Sequence, residues 1–282
     1  MSLPPPDSSA AAVDWSTLTL SGLLHPSFPQ VGSSPAAYAH FLLTHCNETL
    51  LNHGVADFPV LRDDGAALLA SLTETVIGGG QQGEGVGSMH NYGTDVHPRC
   101  PQLLGEIGAQ LEPIFDLLFL TGEEAAVVPP VADARPNALA LHSGHAIRYG
   151  KGGGMRETAL KLHVDDSLVT ATLCLRSVDL SGTDLVFHGA QRLAWPALAK
   201  TQARFSNLQA VHGVHVDRAE HQLTIKPTRG HALLHRGCHP HRTVPVVGGE
   251  RISWVLWWHK ITGGDADAGS ALAPAADSLP SE

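Results

Sequence analysis

A chain of 282 residues has room for one sizeable domain with elaborations or for two small ones, and its 18 basic against 27 acidic side chains give a formal charge of −9. No Lys/Arg cluster and no apolar run of membrane-spanning length appear, which argues against a nucleic-acid or membrane partner. Cys46, Cys100, Cys174 and Cys238 lie far apart with no CxxC spacing, so they read as thiols in a reducing, cytoplasmic setting rather than as disulfides or a zinc site.

Residues 1–14, rich in Pro, Ala and Ser, lack the pattern of a leader peptide and read as a disordered tail. Residues 15–135 read as an N-terminal helical support region. Apolar side chains at three- and four-residue intervals predict helices over 36–52 and 65–77 and a third carrying Leu103, Leu104, Ile107, Leu111, Ile114, Phe115 and Leu118. In residues 136–262 the pattern changes to short β-favouring runs: Ala146–Tyr149, Ala159–His163, Val169–Leu175, Asp184–His188, Gln222–Ile225, Ala232–His235 and Ile252–Trp258. Glycine turns separate them, at Gly152–Gly154, Ser181-Gly182, Arg229-Gly230, Arg236-Gly237 and Gly248-Gly249. Residues 263–282 read as a second tail. The expected fold is mainly β with a helical N-terminal layer, a double-stranded β-helix (jelly roll, cupin-like) flanked by helices.

The chain holds 18 histidines, as many as Lys and Arg together, so a ligand assignment must rest on spacing. His163-Val164-Asp165 places an imidazole and a carboxylate two apart, on one face of an extended strand. With His241 they make a 2-His-1-carboxylate set that leaves open positions on iron(II). The tripeptide recurs as His215-Val216-Asp217, but its interval to His241 is too short to cross a sheet and return comfortably, whereas that from His163 holds several strands. His215 and His212 therefore read as loop residues. His239 is the rival to His241; the pattern His-x-x-x-Pro followed by Gly-x-Arg favours His241. In Arg251, Ser253, Val255 and Trp257 alternate residues share a face. A guanidinium with a neighbouring hydroxyl suits a carboxylate, such as the distal end of 2-oxoglutarate. His188, His231 and His235 read as supporting or packing residues, and Trp254, Trp257 and Trp258 as core and edge aromatics.

With these groups placed, Leu160-Lys161-Leu162-His163-Val164-Asp165-Asp166-Ser167, followed by Val169-Thr170 and Leu173-Cys174-Leu175, resembles the metal-binding strand of the 2-oxoglutarate and iron(II)-dependent dioxygenases, in the manner of prolyl 4-hydroxylase-like catalytic domains. The later stretch Ala232–Gly237, His241, Pro245, Gly249-Glu250-Arg251 and Leu256-Trp257-Trp258 is similar to the subgroup named 2-oxoglutarate and iron-dependent oxygenase domain-containing protein 2 and its plant and algal relatives, as is Ser88–Gly93. The likeness covers roughly residues 85–260. It implies His163, Asp165 and His241 as iron ligands, Arg251 with Ser253 as the 2-oxoglutarate site, and Tyr149 as a co-substrate hydrogen-bonder. The implied cofactors are Fe(II), 2-oxoglutarate and O2, with ascorbate as a candidate auxiliary. The implied reaction is hydroxylation of a C–H bond, on a protein side chain as in prolyl and lysyl hydroxylases or on a small metabolite, with succinate and CO2 as co-products.

Two departures bear on substrate identity: Ser181–Phe187 lacks the usual Gly-Gly, and Gly152–Arg156 replaces a more typical loop. Two other readings stand beside this one. A non-catalytic jelly-roll binding or scaffold module would keep the metal site alone; a cupin-type hydrolase or isomerase would have no use for a fixed Arg251-x-Ser253 clamp.

Overall fold

The computed structural model describes residues 18–47, 50–51, 53–79, 93–96, 99–119, 139–150, 159–191, 210–211, 214–215 and 222–260. Helix α1, Pro35–His45, begins where the Ser34 hydroxyl accepts from the Ala37 amide, with Pro35 at the first helical position. The sequence predicts that this helix runs on to residue 52. Instead the backbone turns extended at Cys46 (φ −84°, ψ 140°), and a separate turn closes where the Leu51 amide donates to the Asn47 carbonyl. That break delivers the chain into a strand absent from the sequence reading, β1, Val55–Pro59.

Helix α2 spans Asp63–Gly79, with Asp63 and Asp64 at its positive end. Strand β2, Gly93–Asp95, precedes helix α3, Pro101–Leu118, whose buried stripe is the predicted Leu103, Leu104, Ile107, Leu111, Ile114, Phe115 and Leu118.

The remaining strands are β3 (Leu139–Gly150), β4 (Leu160–His163), β5 (Val169–Ser181), β6 (Leu185–His188), β7 (Ala190–Gln191), β8 (Ala210–Val211), β9 (Val214–His215), β10 (Gln222–Ile225), β11 (His231–Arg236), β12 (His241–Thr243) and β13 (Gly248–Lys260). Among the described residues they form a six-stranded sheet in the order β1-β11-β5-β13-β3-β2, a four-stranded sheet in the order β10-β6-β12-β4, and a small sheet of β7, β9 and β8. Every pairing is antiparallel. This is the expected jelly roll with its helical layer.

Strand alternation sorts the large sheet into two faces. Ile252, Trp254, Leu256 and Trp258 of β13 join Ala171, Leu173 and Leu175 of β5 and Ala232 and Leu234 of β11 in the core shared with the helices. Trp254 also donates its indole N–H to the Thr73 hydroxyl of α2 at 3.0 Å. The opposite face looks across to the smaller sheet. Val55 and Leu233 meet Leu185, Phe187, Leu223 and Ile225 there in a second apolar cluster. The residues that carry chemistry lie on this inner face.

Candidate metal centre and anion pocket

His163 ends β4 and His241 begins β12, and the two are direct Cα partners across that antiparallel pair, with ring centroids 4.4 Å apart. The long interval in sequence thus closes to nearest neighbours. Asp165 lies beyond the end of β4 rather than on the strand. Its amide donates to the Gly237 carbonyl at 2.9 Å, and its Oδ2 accepts from the Thr170 hydroxyl of β5 at 2.7 Å. A Cβ on Gly237 would come within 2.1 Å of the Ser167 carbonyl, so glycine is what allows this close approach.

One donor atom from each of His163, Asp165 and His241 lies within 4.8 Å of the other two. His163 Nε2 is 3.5 Å from Asp165 Oδ1, and His241 Nε2 is 3.7 Å from Asp165 Oδ2. These separations are long for hydrogen bonds and lie within the roughly 4.2 Å that two donors each held about 2.1 Å from one ion can span. Both rings are oriented for it. Nδ1 of His163 donates to the Lys161 carbonyl at 2.7 Å and Nδ1 of His241 to the His239 carbonyl at 2.9 Å, which leaves each Nε2 free to ligate.

Burial, with the charge of His235 next, pushes His241 down to about 3, so it is a neutral imidazole at physiological pH. Burial opposes ionisation of Asp165, but the facing His163 ring, with His241, His235 and the Thr170 hydroxyl beside it, outweighs that and holds the carboxyl well below the usual range. Two imidazoles and a carboxylate with open positions are the donor set of non-haem iron(II). The residues fit the ion that the sequence implies.

On β13, Arg251 and Ser253 face inward and are essentially inaccessible to solvent. The Arg251 guanidinium lies over the Tyr149 ring at 4.2 Å, and its Nη1 donates to the Thr183 carbonyl at 2.8 Å. Among the described residues no carboxylate pairs with it, and its Nε makes no hydrogen bond. The hydroxyls of Ser253 and Thr183 are likewise buried without partners. Beside Ser253 lies the Cys174 thiol, pushed up to about 11 mainly by burial and in part brought back by the Ser253 hydroxyl; sulfur is a poor acceptor, so this contact does little to satisfy that hydroxyl. A buried cation with orphaned donors around it is costly unless an anion completes it, which is the chemistry of a carboxylate subsite.

Three residues near these groups went unread in the sequence or were read only as packing. Thr170 orients Asp165. Thr183 holds Arg251. His235, completely buried, brings Nε2 to 3.8 Å from Asp165 Oδ2 and its ring to 4.6 Å from that of His241; burial lowers its pKa. The rival ligand His239 stands apart from the trio with its ring against Phe187, and its carbonyl serves His241. His231 meets Asp57 at the β1–β11 edge, and His188 lies 3.4 Å from the Gln222 amide. Trp257 differs from Trp254 and Trp258 in facing inward, with the His145 ring 5.4 Å away. Of the second tripeptide only the backbone at His215, in β9, is described; Asp217 and His212 fall outside the described residues, as do Ser88–Tyr92 and Gly152–Arg156.

No protein-family model matches the chain. Among curated proteins it is 30% identical over 126 residues to the 2-oxoglutarate and iron-dependent oxygenase domain-containing protein ICU11 of Arabidopsis thaliana, covering 44% of this chain and 26% of that one. The similarly described protein CP2 of the same plant is 29% identical over 126 residues, covering 45% and 27%. The chain is similar to 2-oxoglutarate and iron-dependent oxygenases. It spans about a quarter of the length of these oxygenase-domain proteins. Among solved structures, SnoN, a non-heme alpha-ketoglutarate-dependent epimerase from nogalamycin biosynthesis, superposes with a TM-score of 0.50 at 13% identity over 88% of this chain and 94% of its own. At that identity the likeness bears on the fold, which it supports. Among the described residues no helix is long and apolar enough to cross a membrane.

Proposed function

We propose that this chain is an Fe(II)/2-oxoglutarate-dependent oxygenase that hydroxylates a C–H bond, with a protein side chain as the first candidate substrate and a small metabolite as the second. The observation that carries the reading is the convergence of His163, Asp165 and His241 within 4.8 Å, two residues' ring nitrogens already oriented by backbone carbonyls. Bound iron(II) with 2-oxoglutarate and O2 supplies oxidation of R–H to R–OH, with the co-substrate converted to succinate and CO2.

The protein's part is binding, orientation and exclusion of water. Arg251 neutralises and aligns one carboxylate of the co-substrate, with the Ser253 hydroxyl on the same strand face as a second donor and Tyr149 supporting the guanidinium from below. The His163 side chain is 26% exposed whereas that of Asp165 is 1% exposed, so a substrate approaches from the His163 side.

Purified protein supplied with Fe(II) and 2-oxoglutarate should form succinate, and Asp165→Ala should abolish both metal binding and turnover. Retention of both by that variant would overturn the assignment. Binding of metal without 2-oxoglutarate would point to the non-catalytic module instead. Proteins of a cell extract incubated with active and Asp165→Ala enzyme, compared by mass spectrometry for gain of one oxygen, would identify the substrate.

A further inference from the structure

We propose that Ser167 and Thr170 are positioning residues, a two-hydroxyl relay that makes Asp165 a one-oxygen ligand and so keeps a coordination position open for the co-substrate. The inference rests on the metal and 2-oxoglutarate reading above and brings in the bend between β4 and β5. It starts from an asymmetry between the two oxygens of Asp165. Oδ2 accepts from the Thr170 hydroxyl at 2.7 Å, whereas Oδ1 is buried with no hydrogen-bond partner among the described residues and faces His163 Nε2 at 3.5 Å.

Oδ2 has other polar neighbours, but they do not donate to it. His241 and His235 bring Nε2 to 3.7 and 3.8 Å, and each gives its Nδ1 proton to a backbone carbonyl, so in the neutral ring the facing nitrogen carries a lone pair. The buried Thr170 hydroxyl is therefore what satisfies Oδ2 among the described residues. Its single proton is spent there. The Ser167 hydroxyl, 2.8 Å from Thr170 Oγ1, must then be the donor in that second bond, which sets the direction of the relay from Ser167 through Thr170 to Asp165.

The backbone holds both ends. The Asp165 amide donates to the Gly237 carbonyl at 2.9 Å, the Gly237 amide to the Leu168 carbonyl at 3.2 Å, and the Leu168 amide to the Trp258 carbonyl at 2.8 Å. A Cβ on Gly237 would stand 2.4 Å from Ser167 Oγ, so glycine leaves room for the hydroxyl. A carboxylate can hold a divalent ion through one oxygen or through both. With Oδ2 engaged, Oδ1 is the oxygen left for the ion. Without the relay, Oδ2 is a buried acceptor in want of a partner and turns to the ion as well, taking a position that a chelating co-substrate needs.

The test compares Thr170→Val, which keeps shape but not the hydroxyl, with Thr170→Ser, which keeps the hydroxyl, and with Ser167→Ala, which cuts the relay one step further out at a half-buried site. Mn(II) is the probe. Water-proton relaxation counts the waters on the bound ion, and a second Asp165 oxygen displaces one of about three, lowering the relaxivity of Thr170→Val by about a third. Mn(II) affinity should hold or rise, and anaerobic calorimetry should show 2-oxoglutarate weakened by about tenfold or more, the cost of displacing that oxygen. Ser167→Ala should move both readings the same way by less, and Thr170→Ser should stay within about threefold of the wild type. Wild-type relaxivity in both Thr170→Val and Ser167→Ala overturns the inference. A loss of Mn(II) affinity in Thr170→Val also overturns it, because the hydroxyl would then support the metal site as a whole; should that variant not fold, Ser167→Ala decides alone. Failure of the wild type to bind 2-oxoglutarate overturns the functional reading, while the water count still decides the relay.

Discussion

His163 differs from the other two residues of the candidate metal site in its exposure and in its proton. Burial favours the neutral ring, but the Asp165 carboxylate and the Lys161 carbonyl outweigh it, so His163 titrates above an ordinary histidine while His241 is pushed down to about 3. In the metal-free protein the sign follows directly. A raised folded pKa gives stability that is fully present below the unfolded value and is lost as pH rises through the folded one. A metal ion acts against the same proton, since it needs the free base at Nε2. Mn(II) affinity should therefore fall about tenfold per pH unit once the pH drops below the raised His163 value, and level off above it. Calorimetric titration between about pH 5.5 and 8 checks this. A flat profile would mean that His163 is not a ligand.

At the scale of an element, β13 joins the site to the scaffold. Arg251 and Ser253 point into the roll, and Ile252, Trp254, Leu256 and Trp258 pack on the helices. Glu250, one residue before Arg251, anchors the strand on the other side. It bonds to Arg148 of β3 and to Arg176 of β5, and Arg176 reaches on to Glu74 of α2 with contacts of 2.6 and 2.8 Å. Burial works against the charge on Glu250, but the two arginines prevail and lower its pKa. Its contribution to stability is thus present above the unfolded glutamate value and is lost as pH falls through the lower folded one. Glu250→Gln should cost about 1.5–3 kcal/mol at neutral pH in denaturant unfolding, since hydrogen bonds to charged groups are weakened at both arginines. The deficit should shrink in acid as the wild type loses the same charge. An equal deficit at all pH values would assign the effect to packing.

Across the whole molecule, the sequence shows clearly what is periodic or local and poorly what is made by crossing strands. Strands β3, β4, β5, β6, β10, β11 and β13, the α3 stripe and the inward alternation of Arg251 and Ser253 follow from two- and four-residue patterns. His163 and His241 share a site because β4 and β12 are partners, which the length of chain between them allowed but did not dictate. Thr170 and His235, Cα partners of one another on β5 and β11, look like ordinary strand residues until that register brings both beside Asp165. Thr183 carries no local signal at all; its left-handed backbone is imposed by the segment at Val244–Val246. Even β1 is hidden, because the backbone turns extended at Cys46 and ends α1 before the apolar periodicity does.

The same architecture separates the source of stability from the source of function. The helix-side core is mainly apolar, with Gln110 Oε1 of α3 buried there without a partner, whereas the inner face buries Arg251 without a carboxylate partner among the described residues and leaves Ser253 and Thr183 unsatisfied. Ligands that bind only the folded state recover that deficit. Mn(II) with 2-oxoglutarate at about a hundred times its dissociation constant should add about 2.7 kcal/mol, or about 5–10 °C in melting temperature for a chain of this size. Arg251→Met removes the unpaired charge while filling similar space, and replacing buried charges with apolar groups is often neutral or stabilising. Its ligand-free melting temperature should equal or exceed that of the wild type. The shift with Mn(II) alone should be retained, and the additional shift with 2-oxoglutarate should vanish. Thermal unfolding of both proteins under the three conditions decides the matter. A less stable Arg251→Met without ligand would show that Thr183 and Tyr149 already satisfy the guanidinium, and a retained 2-oxoglutarate shift would move the co-substrate's carboxylate away from Arg251.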